Sequence, residues 1–283
     1  MDATIRAPGH GGPTTGEPSS PPVPAQVPVQ VGSHDFTGLP RRLAELHARL
    51  AVGAEVDVPD LGPSAPVPLG DVVVGAGFVP VGDPLPGGAI RAIRAHSLAD
   101  TVAPAMRLLV CGLNPSPLAA STGVGFAHPA NRFWSAALAA GVVTADRDPW
   151  HALDADGVGM TDLVKRTTRS ASELTAGEYA SGIARLERLV AWLVPTAVCF
   201  VGLAGWRAAV DPGARPGPQP GGIAGRPVYV MPSTSGANAH ARPEELAGHL
   251  RAASELAAGA LATGALATGA LATGALATGA LAP

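Results

Sequence analysis

The chain has 283 residues, a formal net charge of −3, 36 glycines, 29 prolines and two cysteines. That is length for one or two domains, and the balance of charge excludes a strongly basic protein that binds nucleic acid through bulk charge. Two thiols cannot hold a four-cysteine iron–sulfur cluster, and no apolar run reaches the roughly 18 residues of a membrane-spanning helix. No charged head followed by an apolar core opens the sequence, so a cytoplasmic protein, nucleoid-associated if bacterial, is expected without membrane contact.

Residues 1–34 are rich in Pro, Gly, Ser and Thr and poor in large apolar side chains, so disorder is expected there. Residues 35–95 form an N-terminal extension in which one helix is legible: Pro40 suits a first turn, and Leu43, Leu46 and Leu50 share a face. The remainder of this stretch alternates short Val-rich pieces with Pro/Gly breaks and yields no firm assignment. Residues 257–283 carry the pentapeptide GALAT in repeat from Gly259, a period that matches neither helix nor strand, and they read as a flexible low-complexity tail.

Between 96 and 256 the pattern is strand, loop, helix, repeated. MRLLVCG, VGMTDLV, TAVCFVG and RPVYVMPS are short apolar strands. NRFWSAALAAG is a helix ending at Gly141, and a short helix is expected around Trp206. The segment from Thr175 to Pro195 opens with Thr175 and Glu178 at capping-box spacing and places Ile183, Leu186, Val190 and Leu193 on one face. Pro243 opens a last helix through Leu246 and Leu250. Continuous apolar strands alternating with amphipathic helices predict an α/β fold, a three-layer α/β/α sandwich around a short, mostly parallel central sheet. Cys111 and Cys199 lie inside two of these strands and read as small buried hydrophobes rather than a disulfide.

Ligands bind such sheets beyond the carboxyl ends of the strands. Three polar segments fall there: GLNPS, KRTTRSAS and MPSTSGANAHAR. Asn114 is an amide and no general base, but it can orient a water or pair with an amide-like ligand edge. Phe126 offers a flat apolar face, and an amide beside a stacking ring suits a planar nucleobase. Ser233, Thr234 and Ser235 on a Ser/Gly turn can hold phosphate oxygens without positive charge. Each residue taken alone has a plainer reading: Asn-Pro as a turn, Phe126 and Trp134 as core, His128 as a scaffold residue, STSG as a loop. Only the set, at the strand ends, points to a site. With Lys165 the single lysine, arginine must supply almost every phosphate contact.

The string CGLNPSPLAASTGVGFAHPANRFW closely resembles the first motif of mismatch-specific uracil/thymine-DNA glycosylases, the group of the uracil-DNA glycosylase superfamily that spans bacterial mismatch enzymes and eukaryotic thymine-DNA glycosylases. GVGMTDLVKRTT resembles the segment after their second strand, and VYVMPSTSGANAH their second active-site motif. The likeness runs from about Asp100 to Leu256, in the family's order.

The resemblance implies a monofunctional hydrolase, without metal or other cofactor, that acts as a monomer on duplex DNA holding a mismatched or deaminated base. It would cleave the N-glycosidic bond of a flipped-out uracil opposite guanine, with thymine and 5-substituted uracils as further candidates, to begin base-excision repair. Asn114 would position the attacking water. Leu113, Ser116, Ala119 and Phe126 would surround the base, with Phe126 stacked on it (about 1–3 kcal/mol) and Ala119 near the pyrimidine C5. Ser233 and Ser235 would clamp phosphates with Thr234 beside them, and Gly236, Ala237 and Asn238 would enter the duplex toward the widowed guanine. Three positions depart from the family: Ser116 replaces a glycine, Ala237 is small where other members carry a bulky or cationic wedge, and Asp162 puts an acid on the expected rim. A glycosylase for another damaged base such as hypoxanthine, or a non-catalytic nucleic-acid-binding module on the same scaffold, are the alternative readings.

Overall fold

The four strands read between 96 and 256 pair into one sheet whose order follows from their crossovers. The structure is a computed structural model that describes residues 27–28, 36–60, 62, 65–238 and 241–262. The expectations for residues 1–34 and for most of the repeat tail lie outside these, apart from residues 27 and 28.

The central sheet contains β5 (Leu108–Gly112), β6 (Val158–Asp162), β7 (Ala197–Val201), β8 (Gly217–Ile223) and β9 (Arg226–Met231), in the order β6-β5-β7-β9-β8. β5, β6, β7 and β9 are parallel, and β8 runs antiparallel to β9 at the edge. Alternate residues of each strand enter opposite cores. On one face Leu108, Val110, Cys199 and Met231 pack against α4 (Phe133–Ala139) and α8 (Pro243–Ala262). On the other, Leu109, Cys111, Phe200 and Val230 pack against α6 (Ala176–Leu193) and α7 (Leu203–Ala209). Both faces are thus covered, which is why these strands are dominated by apolar residues. The expected three-layer α/β/α architecture is the one observed. The short helices α3 (Pro117–Thr122) and α5 (Pro149–Asp154) complete the crossover from β5 to β6.

Local signals explain where elements begin. Thr175 accepts from the Glu178 backbone N–H, and the Glu178 carboxylate accepts from the Thr175 N–H, so α6 starts with both halves of its capping box. Gly141 takes φ +69° just past α4, a conformation in which a side chain would be strained. β8, with the sequence GPQPGGI, was not expected as a strand; its prolines are tolerated because it is an edge. α8 runs through Ala262, so the first GALA of the tail repeat is helical.

The N-terminal part holds more than the one helix read from sequence. α1 (Leu39–Arg49) and α2 (Leu69–Gly75) pack over a second sheet of β1 (Val27–Pro28), β2 (Glu55–Val58), β3 (Phe78–Pro80) and β4 (Ile90–Arg94), in the order β1-β2-β4-β3. Leu39, Leu43, Val56, Val73 and Phe78 are its core. It docks on the part built around the five-stranded sheet through Phe36 set edge-on against Trp192, an Arg188–Asp71 ion pair and Arg41, which reaches Asp154 and lies over the Trp150 ring. No helix among the described residues is long and apolar enough to cross a membrane.

Candidate active site

The crossover from β5 to β6 leaves to one side and the connection from β6 returns to β7 on the other, so the order of the sheet reverses between β5 and β7. A crevice forms at such a reversal, outside the carboxyl ends of the strands. There the structure has a cavity of about 580 Å³, lined from four strand ends: Leu113, Asn114 and Ser116 after β5, Thr168 to Ala171 after β6, Val201 to Gly205 at the end of β7, and Ser233 to Ser235 with Ala237 and Asn238 after β9. A slightly larger cavity, about 680 Å³, lies between β3 and α6. It sits away from the carboxyl end of the β5–β7 reversal and brings no amide and ring together, so the smaller cavity is the candidate site.

Asn114 is held by its amide nitrogen. Nδ2 donates to Thr168 Oγ1 at 2.8 Å, to Arg166 O at 3.0 Å and more weakly to Pro115 O at 3.3 Å. Three acceptors fix which end of the amide is which, and among the described residues no donor reaches Oδ1. The Asn114 side chain therefore presents a fixed, unoccupied acceptor at the cavity. The loop that holds it is zipped to the Asn114 loop by Leu163 N–H to Gly112 O, Val164 N–H to Leu113 O and Thr168 N–H to Pro115 O.

Phe126 lines the same cavity with φ at +58°, a left-handed backbone that costs an aromatic residue about 1–3 kcal/mol. One side of its ring stacks on Phe133, with centroids 4.2 Å apart and planes 23° off parallel. Trp134, fully buried, donates from Nε1 to Gly125 O at 2.8 Å and pins the turn. His128 Nδ1 accepts from the Ala130 N–H, so His128 is the scaffold residue its plainer reading suggested.

The 233–238 loop hangs on Arg132. Its guanidinium donates to the carbonyls of Ala241, Ser235 and Asn238, and its N–H to Thr234 O. Asn238 Nδ2 donates back to Ser233 O at 2.8 Å. The hydroxyls of Ser233 and Ser235 accept from the N–H groups of Ser235 and Ala237, leaving each O–H proton free to donate outward. Gly236 packs against Ala130 so closely that a Cβ would meet its methyl at 2.8 Å.

Most of the expected site residues thus meet at one cavity: Leu113, Asn114, Ser116, Phe126, Ser233, Thr234, Ser235, Ala237 and Asn238 line it. Ser116 also caps α3, its Oγ accepting from the Ala119 N–H. Ala119 is buried inside α3 and outside the lining. Thr234 is only 1% exposed with its hydroxyl unpartnered, so its backbone, through Arg132, contributes more than a surface side chain would. Asp162 is not on the rim as expected. The segment that bridges Thr101 to Met160 covers the β6 edge, and Asp162 is buried beside Gly112, where a Cβ would overlap Asp162 Oδ1 and sit 3.5 Å from the Phe126 ring. Burial raises its pKa to about 6, opposed by Lys165 and reinforced by Asp100.

Sequence reasoning missed Arg132, Thr168 and the buried cluster behind them. Asp100 accepts from Thr161 Oγ1, Lys165 Nζ and Arg185 Nη1 at 2.7–2.9 Å, and Ser97 Oγ donates to Lys165 O. Burial alone would raise the Asp100 pKa, but the Lys165 and Arg185 charges outweigh it and hold the carboxyl below its usual value. This cluster fixes Lys165, next to Arg166 in the loop that also carries Thr168. Both cysteines are buried and free, and burial pushes the Cys199 thiol up to about 12 and Cys111 up as well, so neither is a nucleophile. Among the described residues no group of three or more His, Cys, Asp or Glu side chains is placed to hold a metal, and no carboxylate lines the cavity.

A cavity at the switch point, with an oriented amide, a stacking ring and a serine loop, is the frame within which the match to a known family has meaning. The family model described as the uracil DNA glycosylase superfamily matches residues 99–255, more than half of the chain and the whole five-stranded sheet with its cavity, and the chain belongs to that superfamily.

Proposed function

We propose that the protein is a monofunctional glycosylase that removes uracil mispaired with guanine in duplex DNA, with thymine and 5-substituted uracils as further substrates, and that it works as a monomer. The observation that carries this reading is Asn114: its Nδ2 is tied to Thr168 and Arg166, and its Oδ1 is left to accept a hydrogen bond from a water beside Phe126. An amide orients that water but cannot deprotonate it ahead of bond cleavage. The chemistry it suits is dissociative, in which the glycosidic bond breaks first and a positioned water captures an oxocarbenium-like sugar.

The flipped base would lie on the face of the Phe126 ring opposite Phe133. Flipping costs a few kcal/mol, and least at a mismatch. Ser233 and Ser235, with hydroxyl protons free to donate, suit the phosphates flanking the flipped nucleotide. Ala237 is exposed and small, so less of the flipping would be driven by a wedge and more by the weakness of the mismatch itself.

A duplex with one labelled G·U pair tests the reading through base release followed by alkaline strand cleavage. Wild type releases uracil, and Asn114→Ala is slower by about 10²–10³, the loss seen when one preorganised hydrogen bond to a transition state is removed. No release by wild type, or equal rates for the two proteins, would overturn the assignment. Parallel duplexes with G·T, hypoxanthine and 5-substituted uracils rank the bases, and tight binding without release of any of them would point to a binding module.

A further inference from the structure

The loop after β6 carries three cations, Lys165, Arg166 and Arg169, in the run KRTTR. The structure gives two of them internal partners. Lys165 Nζ is buried against Asp100 at 2.7 Å. Arg166 pairs with Glu178 through both its Nε and Nη2, and Nη2 also donates to Glu173 O. Arg169 has no such partner: its side chain is exposed, and among the described residues no carboxylate lies within ion-pair distance of its guanidinium. The acids nearest in sequence are committed elsewhere. Glu173 Oε1 accepts from the backbone N–H groups of Arg169 and Ser170, and Glu178 is shared between Arg166 and the α6 cap.

Arg169 is also the only charged residue, among those described, that lines the candidate active-site cavity. Its backbone is not a loose end. The Glu173 carboxylate holds its N–H, Ser170 closes a capping box on the 3₁₀ turn that follows, and Thr168 Oγ1 donates to Ser170 O. A fixed backbone, an unpaired guanidinium and a position at the mouth of a cavity otherwise without charge are three separate observations with one consequence.

Resting on the function proposed above, we infer that Arg169 is a DNA-contacting residue of this protein, pairing with a backbone phosphate of the strand that carries the flipped base, on the cavity wall formed after β6. Guanidinium and phosphate match as a fork of two parallel hydrogen bonds, and the pair needs no base identity. It supplies a charged anchor beside a serine loop that has none and whose tip, Ala237, cannot wedge the duplex.

The test is equilibrium binding, by fluorescence anisotropy between 50 and 200 mM KCl, to a duplex with a central G·2′-fluoro-deoxyuridine pair. The fluorine slows glycosidic cleavage, so binding is read apart from chemistry. Proteins compared are wild type, Arg169→Ala, Arg169→Lys and Arg251→Ala, the last an exposed arginine on α8 far along the chain from the site. Arg169→Ala should weaken binding at low salt and flatten the slope of log K against log [KCl] by about 0.9, the contribution of one phosphate. Arg169→Lys should keep the slope, and Arg251→Ala should leave it at the wild-type value. An unchanged slope in Arg169→Ala, or an equal loss in Arg251→Ala, overturns the inference.

Uracil release from an unmodified G·U duplex is measured on the same wild-type preparation. Normal release with an unchanged Arg169→Ala slope removes Arg169 and keeps the reaction. A flattened slope without release keeps the contact and removes the reaction. Absence of duplex binding by wild type overturns both.

Discussion

Thr168→Val isolates the anchoring of Asn114 from its chemistry. Thr168 is 6% exposed, and valine matches its shape while removing Oγ1, the nearest of the three acceptors on Asn114 Nδ2. The amide keeps Arg166 O at 3.0 Å and Pro115 O at 3.3 Å, so the side chain stays in place but can rotate. One neutral hydrogen bond contributes about 0.5–1.5 kcal/mol, or about 2- to 12-fold in rate if the whole loss falls on the transition state. That is well short of the 10²–10³ expected for Asn114→Ala. The same substitution removes the bond from Thr168 to Ser170 O, so the melting temperature should fall by a few degrees, at about 2–4 °C per kcal/mol for a chain of this size. Single-turnover release with enzyme in excess gives the rate free of binding, and duplex affinity is measured beside it. The reasoning fails if the single-turnover rate is unchanged while affinity drops, because Thr168 would then act on DNA and not through Asn114.

The remaining predictions concern what surrounds the amide. The folded pKa of Asp162, about 6, lies above its unfolded value, so relative to neutral pH the carboxyl's stabilisation is fully present below about pH 4 and is lost as pH rises through 6. Asp162→Asn should therefore stabilise the protein at pH 7.5 by up to about 3 kcal/mol and show no gain near pH 4, read from urea midpoints at the two pH values; a gain that does not change with pH refutes the assignment. Gly112→Ala drives a methyl into Asp162 Oδ1 and should cost about 1–3 kcal/mol, with much of it recovered in the Gly112→Ala, Asp162→Ala double variant; strict additivity would mean that the two do not touch. Arg132→Lys cannot span three carbonyls and should lower both the melting temperature and duplex affinity, by about 2–4 kcal/mol in stability; a normal melting temperature would show that the 233–238 loop stands without it.

The elements legible in the sequence are those whose signal is local. β5 and β7 are buried at every position and apolar throughout, β9 is so from Val228 onward, and α6 announces itself through the Thr175–Glu178 box. β8 is a strand only because β9 offers it an edge, and its Gly/Pro composition carries no strand signal of its own. The N-terminal sheet is built from strands of two to five residues separated by turns, too short for a period to emerge. Within the site, Asn114 and Phe126 could be singled out by residue type. The partners that orient Asn114 lie 52 and 54 residues further along, and the carbonyls gathered by Arg132 lie more than 100 away, distances at which a sequence pattern is silent. The rim position expected for Asp162 failed for a related reason: strand-end placement locates a residue along the sheet, but only the covering segment at Thr101 decides whether it meets water.

Charge is where this difference matters most for function. In KRTTR the three cations are interchangeable as letters, and any of them could be assigned to phosphate. The fold separates them by what each finds within reach: a buried carboxylate for Lys165, a capping glutamate for Arg166, and nothing but solvent and the cavity for Arg169. A protein with a net charge of −3 and a single lysine does not draw DNA by bulk attraction, so under the proposed function the charged contact with phosphate falls to Arg169, beside the uncharged serine loop. Internal ion pairs would then decide where DNA is held as firmly as they set the loop that holds Asn114, because every cation committed to the scaffold is one withdrawn from the surface.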